Sequence, residues 1–109
     1  MALLLAIDTA TSMGSVAIGD GDRVLAELTL GVGTRHSAAL LPAIRFALEH
    51  AGLEPGQIDG VVVGAGPGSF TGVRIAAATA KALVHATQRP LYAYSTLLAL
   101  AAAVVPAHP

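Results

Sequence analysis

A glycine-rich segment between a run of valines and a long apolar segment most constrains how this chain can fold. Val61-Val62-Val63 is typical of a central strand, because β-branched side chains favour extended backbone. Three glycines and a proline over residues 64–68 then turn the chain, and apolar residues at helical spacing predict a helix from about 69 to 87. A strand that passes through a turn into a helix is half of a right-handed crossover, so we predict parallel strands on either side of this helix.

The first thirty residues, in contrast, predict three strands without a helix. Residues 3–7 form a continuous apolar run, and residues 15–19 and 23–30 follow as two further strand-like segments. Asp20-Gly21-Asp22 between them is a strong hairpin signal, because glycine and aspartate tolerate positive φ. We therefore predict two hairpins before the first crossover.

A helix capped by Thr34 or Ser37 is predicted after the third strand, with Gly52 as its C-terminal stop. Pro42 interrupts this pattern and is expected near the first turn or at a bend. A fifth strand over residues 91–94 and a last helix over residues 97–105 complete the order βββαβαβα. This order predicts one α/β domain over residues 1–109, with helices packed on a mixed five-stranded sheet.

Composition narrows the function classes. Hydrophobic residues make up 54% of the chain. Charged residues make up only 12%, whereas ordinary domains have about 25% charged residues. A surface so poor in charge predicts a face covered by a partner.

A net charge of -1 argues against nucleic-acid binding by this chain alone. The absence of cysteine excludes disulfides and cysteine-bound zinc and fits a reducing cytoplasm. The longest apolar run, residues 97–105, falls short of the ~20 residues of a membrane span.

The first candidate site follows the first predicted strand and comprises Asp8, Thr9, Thr11 and Ser12. A carboxylate followed by hydroxyl groups in a turn can hold a hydrated metal ion and contact phosphate oxygens. Sugar kinases and actin-like ATPases have a glycine where this turn has Ala10, so the backbone here is less free to approach a phosphate. The alternative, which the residues favour, is that Asp8 caps the turn by accepting a bond from a nearby backbone amide.

The second candidate site is the glycine-rich segment itself. It leads into a helix N-terminus, where free backbone N–H groups and the helix dipole attract anions. It lacks the lysine of a Walker loop and the glycine spacing of a dinucleotide loop. The alternative is a tight turn with Ser69 or Thr71 as helix cap, and the residues leave both interpretations open. The candidate residues are Gly66, Pro67, Gly68, Ser69, Phe70, Thr71, Gly72 and Arg74.

The third candidate is a stripe of small residues on the second long helix, Gly72, Ala76 and Ala80. Small residues every four positions let another helix approach closely, or let this helix pack on its own sheet. Because the helix carries few charged groups, it lacks the polar outer face of a solvated helix. This favours burial on two sides, and we predict a partner surface here.

Few residues support catalysis. The histidines at positions 36, 50, 85 and 108 have no metal-binding spacing. A nuclease of this strand order needs several converging carboxylates, whereas Asp59 lies at the opposite end of its strand from the turn that Asp8 begins. We predict no catalytic residue, no metal site and no cofactor.

Four blocks of the sequence together span nearly the whole chain. They are Ile7-Asp8-Thr9-Ala10-Thr11, Arg35-His36-Ser37 with Leu41-Pro42, Gly66-Pro67-Gly68-Ser69-Phe70-Thr71-Gly72-Val73-Arg74 and Tyr94-Ser95-Thr96-Leu97. These blocks resemble the TsaB family, also called YeaZ. The block over residues 66–74 is highly specific, and the match corresponds to the N-terminal half of the family.

The resemblance implies a ribonuclease H-like, actin-like ATPase domain, with the second domain of the family absent from this chain. It implies a non-catalytic scaffold or activator in the synthesis of N6-threonylcarbamoyladenosine in tRNA, paired with the transferase TsaD and the ATPase TsaE. A homodimer is expected in the absence of these partners, and tRNA is expected only indirectly, through the complex. Family members use the two helices of this domain as a dimer surface, which implies that Gly72, Val73, Ala76 and Ala80 lie at or near it. The alternative is half of an ATP-dependent phosphotransferase of the same fold.

Overall fold

Five strands and two long helices form the part of the chain that the structure describes. In the computed structural model these residues are 2–10, 13–20, 23–31, 36–66 and 70–94. A short 3-10 turn over Pro55–Gln57 lies between the first helix and the fourth strand. The elements are β1 Leu4–Asp8, β2 Gly14–Gly19, β3 Val24–Leu30, α1 His36–Ala51, β4 Gly60–Gly64, α2 Phe70–Thr87 and β5 Leu91–Tyr94. The predicted helix over residues 97–105 lies outside the described residues.

The strands form one mixed sheet in the order β3-β2-β1-β4-β5. The two hairpins pair β1 with β2 and β2 with β3 in antiparallel fashion. The crossover through α1 places β4 parallel to β1, and the crossover through α2 places β5 parallel to β4. The prediction of a mixed five-stranded sheet is therefore confirmed. Because β1 and β4 run in the same direction, their carboxyl ends meet at one edge of the sheet.

The core lies between one face of the sheet and the two helices. Alternation along β1 and β4 points Leu5, Ile7, Val61 and Val63 into it, all almost fully buried. Helix α1 packs over β2 and β3, whereas α2 packs over β4 and β1. On the opposite face of the sheet, the side chains of Leu4, Ala6, Ala17 and Val62 are half-buried.

Helix α1 has the predicted C-terminal stop, whereas its first turns differ from the prediction. Gly52 adopts a positive φ of 73°, and the N–H groups of Gly52 and Leu53 donate to the carbonyl oxygens of Glu49 and Leu48, at 3.0 and 2.9 Å. This is the C-terminal stop that the sequence predicts. Ser37 lies inside the helix and is not its cap, and Thr34, the other predicted cap, lies outside the described residues. Pro42 lies in the second turn, not the first, and is exposed.

Within the ranges that the structure describes, neither helix is both long enough and apolar enough to cross a membrane.

Candidate functional site

The first two candidate sites, which are far apart in the sequence, meet at the carboxyl ends of β1 and β4. Ile7 of β1 pairs with Val63 of β4, so the next residues, Asp8 and Gly64, are neighbours. A side chain at position 64 would overlap the carboxyl group of Asp8. The structure therefore joins the carboxylate turn and the glycine-rich segment into one site, with Gly64 providing space for the carboxylate.

Thr9 fixes the start of α2 against the end of β1. Its side chain is fully buried, and its hydroxyl donates a hydrogen bond to the carbonyl oxygen of Gly72 at 2.5 Å. A Cβ at position 72 would overlap the carbonyl oxygen of Thr9. Glycine is thus required at position 72 by the close approach of two backbones. The Thr9 hydroxyl, which was a candidate for phosphate contact, is used inside the domain.

Asp8 acts as a turn cap. Its Oδ1 accepts a hydrogen bond from the N–H of Ala10 at 2.9 Å, as the simpler interpretation of this turn predicts. The carboxylate is half-buried at the sheet edge. Among the residues that the structure describes, no three histidines or acids come together in a way that could hold a metal ion. Thr11 and Ser12 lie outside the described residues.

The glycine-rich segment is described at its two ends. Gly66 has a φ of 91°, a left-handed conformation that favours glycine. Pro67, Gly68 and Ser69 lie outside the described residues, so the prediction of Ser69 as cap does too. Thr71 and Arg74 are exposed on the first turns of α2. Since α2 begins at Phe70, Thr71 lies inside the helix and is not its cap.

The structure corrects the expected role of the small-residue stripe. Ala76 and Ala80 have no exposed surface and belong to the core beneath α2. Their small side chains let α2 approach β1 and β4 closely, and Gly72 does the same against Thr9. The side chains of Ala76 and Ala80 therefore face this domain's own sheet, and the prediction that they contact a partner is wrong. Val73 is half-buried beside the stripe.

An apolar groove between α1 and α2 is not among the sites predicted from the sequence. Leu41 of α1 is 55% exposed and lines the groove together with Ala78, Ala82 and Leu83 of α2. A cavity of about 220 Å³ continues from Leu41 towards the sheet, and among the described residues that line it Arg45 alone is charged. The sequence holds one signal for this groove. Ala78 and Ala82 are small residues one turn apart, on the side of α2 away from the stripe of Gly72, Ala76 and Ala80.

Asp59 has a structural role at the other end of β4. Its Oδ2 accepts a hydrogen bond from the N–H of Leu3 at 2.7 Å, and its own N–H donates to the carbonyl oxygen of Leu3, also at 2.7 Å. This contact joins β4 to the start of β1. Asp59 therefore lies at the opposite end of the sheet from Asp8, as the sequence predicts.

Comparison with known proteins decides the family. A family model described as "TsaD: tRNA N6-adenosine threonylcarbamoyltransferase" matches residues 31–109, more than half of the chain. The chain belongs to this family.

Within the TsaD family, the chain matches the N-terminal part of TsaB, also called YeaZ. It is 37% identical over 99 residues to "tRNA threonylcarbamoyladenosine biosynthesis protein TsaB" of Bacillus subtilis, covering 91% of this chain and 43% of that protein. It is 40% identical to the solved structure of YeaZ from Pseudomonas aeruginosa, with a TM-score of 0.85 over 94% of this chain and 48% of that one. The chain thus spans about half the length of these TsaB relatives.

A more distant structure shows the fold class. The ROK hexokinase from Thermus thermophilus has a TM-score of 0.52 and 21% identity, covering 85% of this chain and 33% of its own. At this identity the likeness shows the fold alone. Together with YeaZ it confirms the predicted actin-like ATPase fold. The comparisons support the TsaB interpretation and not the phosphotransferase alternative.

Proposed function

We propose that this chain acts in the synthesis of N6-threonylcarbamoyladenosine in tRNA as a non-catalytic scaffold or activator. The observation that carries the proposal is its similarity to curated TsaB proteins over 91% of its length. In this proposal its partners are the transferase TsaD and the ATPase TsaE, and tRNA is reached only through that complex. This role places the protein in the cytoplasm.

The geometry of the Asp8 turn supports a non-catalytic role. A kinase of this fold needs hydroxyl and carboxylate oxygens that are free to contact phosphate or a hydrated metal ion. Here the hydroxyl of Thr9 is fully buried and bound to the carbonyl oxygen of Gly72. An oxygen of Asp8 is bound to the amide of Ala10. We infer that these contacts hold the domain together and that the turn is a remnant of a phosphate loop.

The surface offered to a partner is the outer side of α1 and α2. Leu41 is 55% exposed, and exposed Ala78 and Ala82 lie across the groove from it. Short side chains on α2 beside an exposed leucine on α1 suit the close packing of a partner's helices. We propose that TsaD packs here, and that a second copy of this chain does so in the absence of TsaD. Of the four residues predicted at a partner surface, Val73 is half-buried, and Gly72, Ala76 and Ala80 are buried beneath the exposed side of α2.

Size-exclusion chromatography with and without purified TsaD from the same organism tests the proposal. The wild-type chain should co-elute with TsaD, and Ala78→Arg should abolish co-elution because a long charged side chain would fill the groove. Ala2→Arg is the matched control, since Ala2 is an exposed alanine that does not line the groove. Failure of the wild-type chain to bind TsaD would reject the partner role, and normal binding by Ala78→Arg would reject this surface.

Calorimetry with ATP separates the proposal from the phosphotransferase alternative. We expect no ATPase activity and no nucleotide binding in the micromolar range. Tight ATP binding that is lost in Asp8→Ala would favour the phosphotransferase.

A gel shift tests the proposal that tRNA is reached only through the complex. With a net charge of -1, the isolated chain should not retain tRNA at about 0.15 M salt.

A further inference from the structure

The cavity between α1 and α2 lies where the two helices pack on different strands. Helix α1 lies over β2 and β3, and α2 lies over β4 and β1, which leaves a space of about 220 Å³ between them. Leu5 of β1 and Val61 of β4 line this space from the sheet and are almost fully buried. Because an engineered apolar cavity of about 150 Å³ binds benzene, this cavity has room for a small molecule.

The walls of the cavity are aliphatic, with no aromatic ring among the described residues that line it. Ile44, Leu48 and Ile58 are buried and line it together with half-buried Leu83. Thr87 carries the one hydroxyl group of the described lining, and this group donates a hydrogen bond to the carbonyl oxygen of Leu83 at 2.7 Å. Such walls suit an alkyl chain, which gains about 4-fold in affinity for each methylene group that it buries.

Arg45 places a positive charge at the mouth of this cavity. It lines the cavity and is also exposed to solvent, and among the described residues it forms no ion pair. Glu49, one turn further along α1, does not line the cavity. Because a guanidinium group can bind a carboxylate through two parallel hydrogen bonds, Arg45 suits a ligand with a carboxylate at one end.

We propose that the cavity binds a medium-chain aliphatic carboxylate, with its alkyl chain over Leu5 and Val61 and its carboxylate on Arg45. An acidic side chain of a partner protein does not meet both requirements, because even the stem of glutamate is too short to fill the cavity. The occupant is therefore a small molecule. This inference goes beyond the proposed function and does not rest on it, since the ligand lies within this chain.

A series of straight-chain carboxylates tests the cavity. In calorimetry with the full chain, affinity should rise by about 4-fold for each methylene group added between butanoate and octanoate, and acetate should not bind detectably. In NMR spectra, octanoate should shift the methyl signals of Ile44 and Ile58. Absence of octanoate binding, or shifts confined to residues outside the cavity, would overturn the inference.

The variant Arg45→Gln tests the charged end of the ligand. It should weaken octanoate binding by about 10-fold, as expected when hydrogen bonds to a charged group are lost, and leave octanol binding unchanged. Arg23→Gln is the matched control, because Arg23 is 77% exposed on the β2–β3 turn and does not line the cavity. It should bind octanoate as the wild type does. Equal octanoate affinities for Arg45→Gln and the wild type would reject a carboxylate ligand.

The variant Thr87→Leu tests the alkyl end. Its larger side chain should take up part of the cavity and weaken octanoate binding several-fold, with a smaller effect on butanoate. Thr71→Leu makes the same change at an exposed position of α2 outside the cavity lining, and it should leave both affinities unchanged. Far-UV circular dichroism checks that both variants are folded. Equal octanoate affinities for the two folded variants would show that the ligand does not lie in this cavity.

Discussion

The hydroxyl of Thr9 donates a hydrogen bond to the carbonyl oxygen of Gly72, 63 residues later in the chain, at 2.5 Å. The bond ties the end of β1 to the first turn of α2. Because Gly72 has no side chain, the carbonyl oxygen of Thr9 can in turn lie directly against its Cα. Two motifs that the sequence presents as separate candidate sites therefore form one tightly packed junction, which positions α2 and the surface that it presents.

Gly72→Ala should destabilise the domain by about 3 kcal/mol, at the upper end of what overpacking costs. The added methyl group would meet backbone atoms of Thr9, which cannot move without shifting β1 or α2. Urea unfolding measures the loss. Gly56→Ala is the control, since nothing lies within 4 Å of a Cβ there, and its unfolding free energy should change by less than about 0.5 kcal/mol. Equal stabilities for the two variants would show that the backbones are not in contact.

Gly64→Ala should destabilise the protein only while the carboxyl group of Asp8 is present. A Cβ at position 64 would overlap that carboxyl group, whereas Asp8→Ala empties the space. In a double-mutant cycle we expect a coupling energy of about 1–2 kcal/mol, within the range for residues in contact. Thermal unfolding of the four proteins gives this value. Additive effects would mean that Gly64 is needed for a reason other than the room it leaves for Asp8.

Gln88→Gly should stabilise the protein by about 1 kcal/mol, because Gln88 holds a left-handed φ of 55° after α2. For a domain of this size that corresponds to a rise in the melting temperature of about 5 °C. Gly52→Ala tests the same conformation in reverse: its φ is 73° and nothing lies within 4 Å of a Cβ. It should lower stability by about 1 kcal/mol, and a stabilising Gly52→Ala would contradict the argument.

Ala76→Arg should unfold the domain, whereas Ala78→Arg should leave it folded. The two positions are two residues apart on α2, but Ala76 has no exposed surface and Ala78 is exposed. Burying an unpaired guanidinium costs several kcal/mol, while a charge on the exposed side of the helix is hydrated. Far-UV circular dichroism and urea unfolding distinguish the two outcomes. A folded Ala76→Arg protein would contradict the burial of the small-residue stripe and show that it lies at the surface.

The sequence predicts the elements well because their signals are local. The valine run over 61–63, the aspartate and glycine at 20–22 and Gly52 at the end of α1 each act through the backbone preferences of a few residues. Pro42 shows the limit of such signals. Its ring favours a helix start, yet Pro42 lies in the second turn of α1.

The amino-acid sequence is enough to predict the order of strands and helices, the parallel and antiparallel pairings that follow from that order, and the family resemblance. The roles of the glycines, the small residues of α2, Asp8 and Thr9 depend on how the elements pack in three dimensions. A small residue every four positions suits contact with a partner helix or with the chain's own sheet, and the packing of α2 on β1 and β4 settled Ala76 and Ala80 as core. The contacts of Asp8 with Gly64 and of Thr9 with Gly72 could not be predicted either. Contacts between residues more than fifty positions apart depend on strand register and helix placement, which no local pattern encodes.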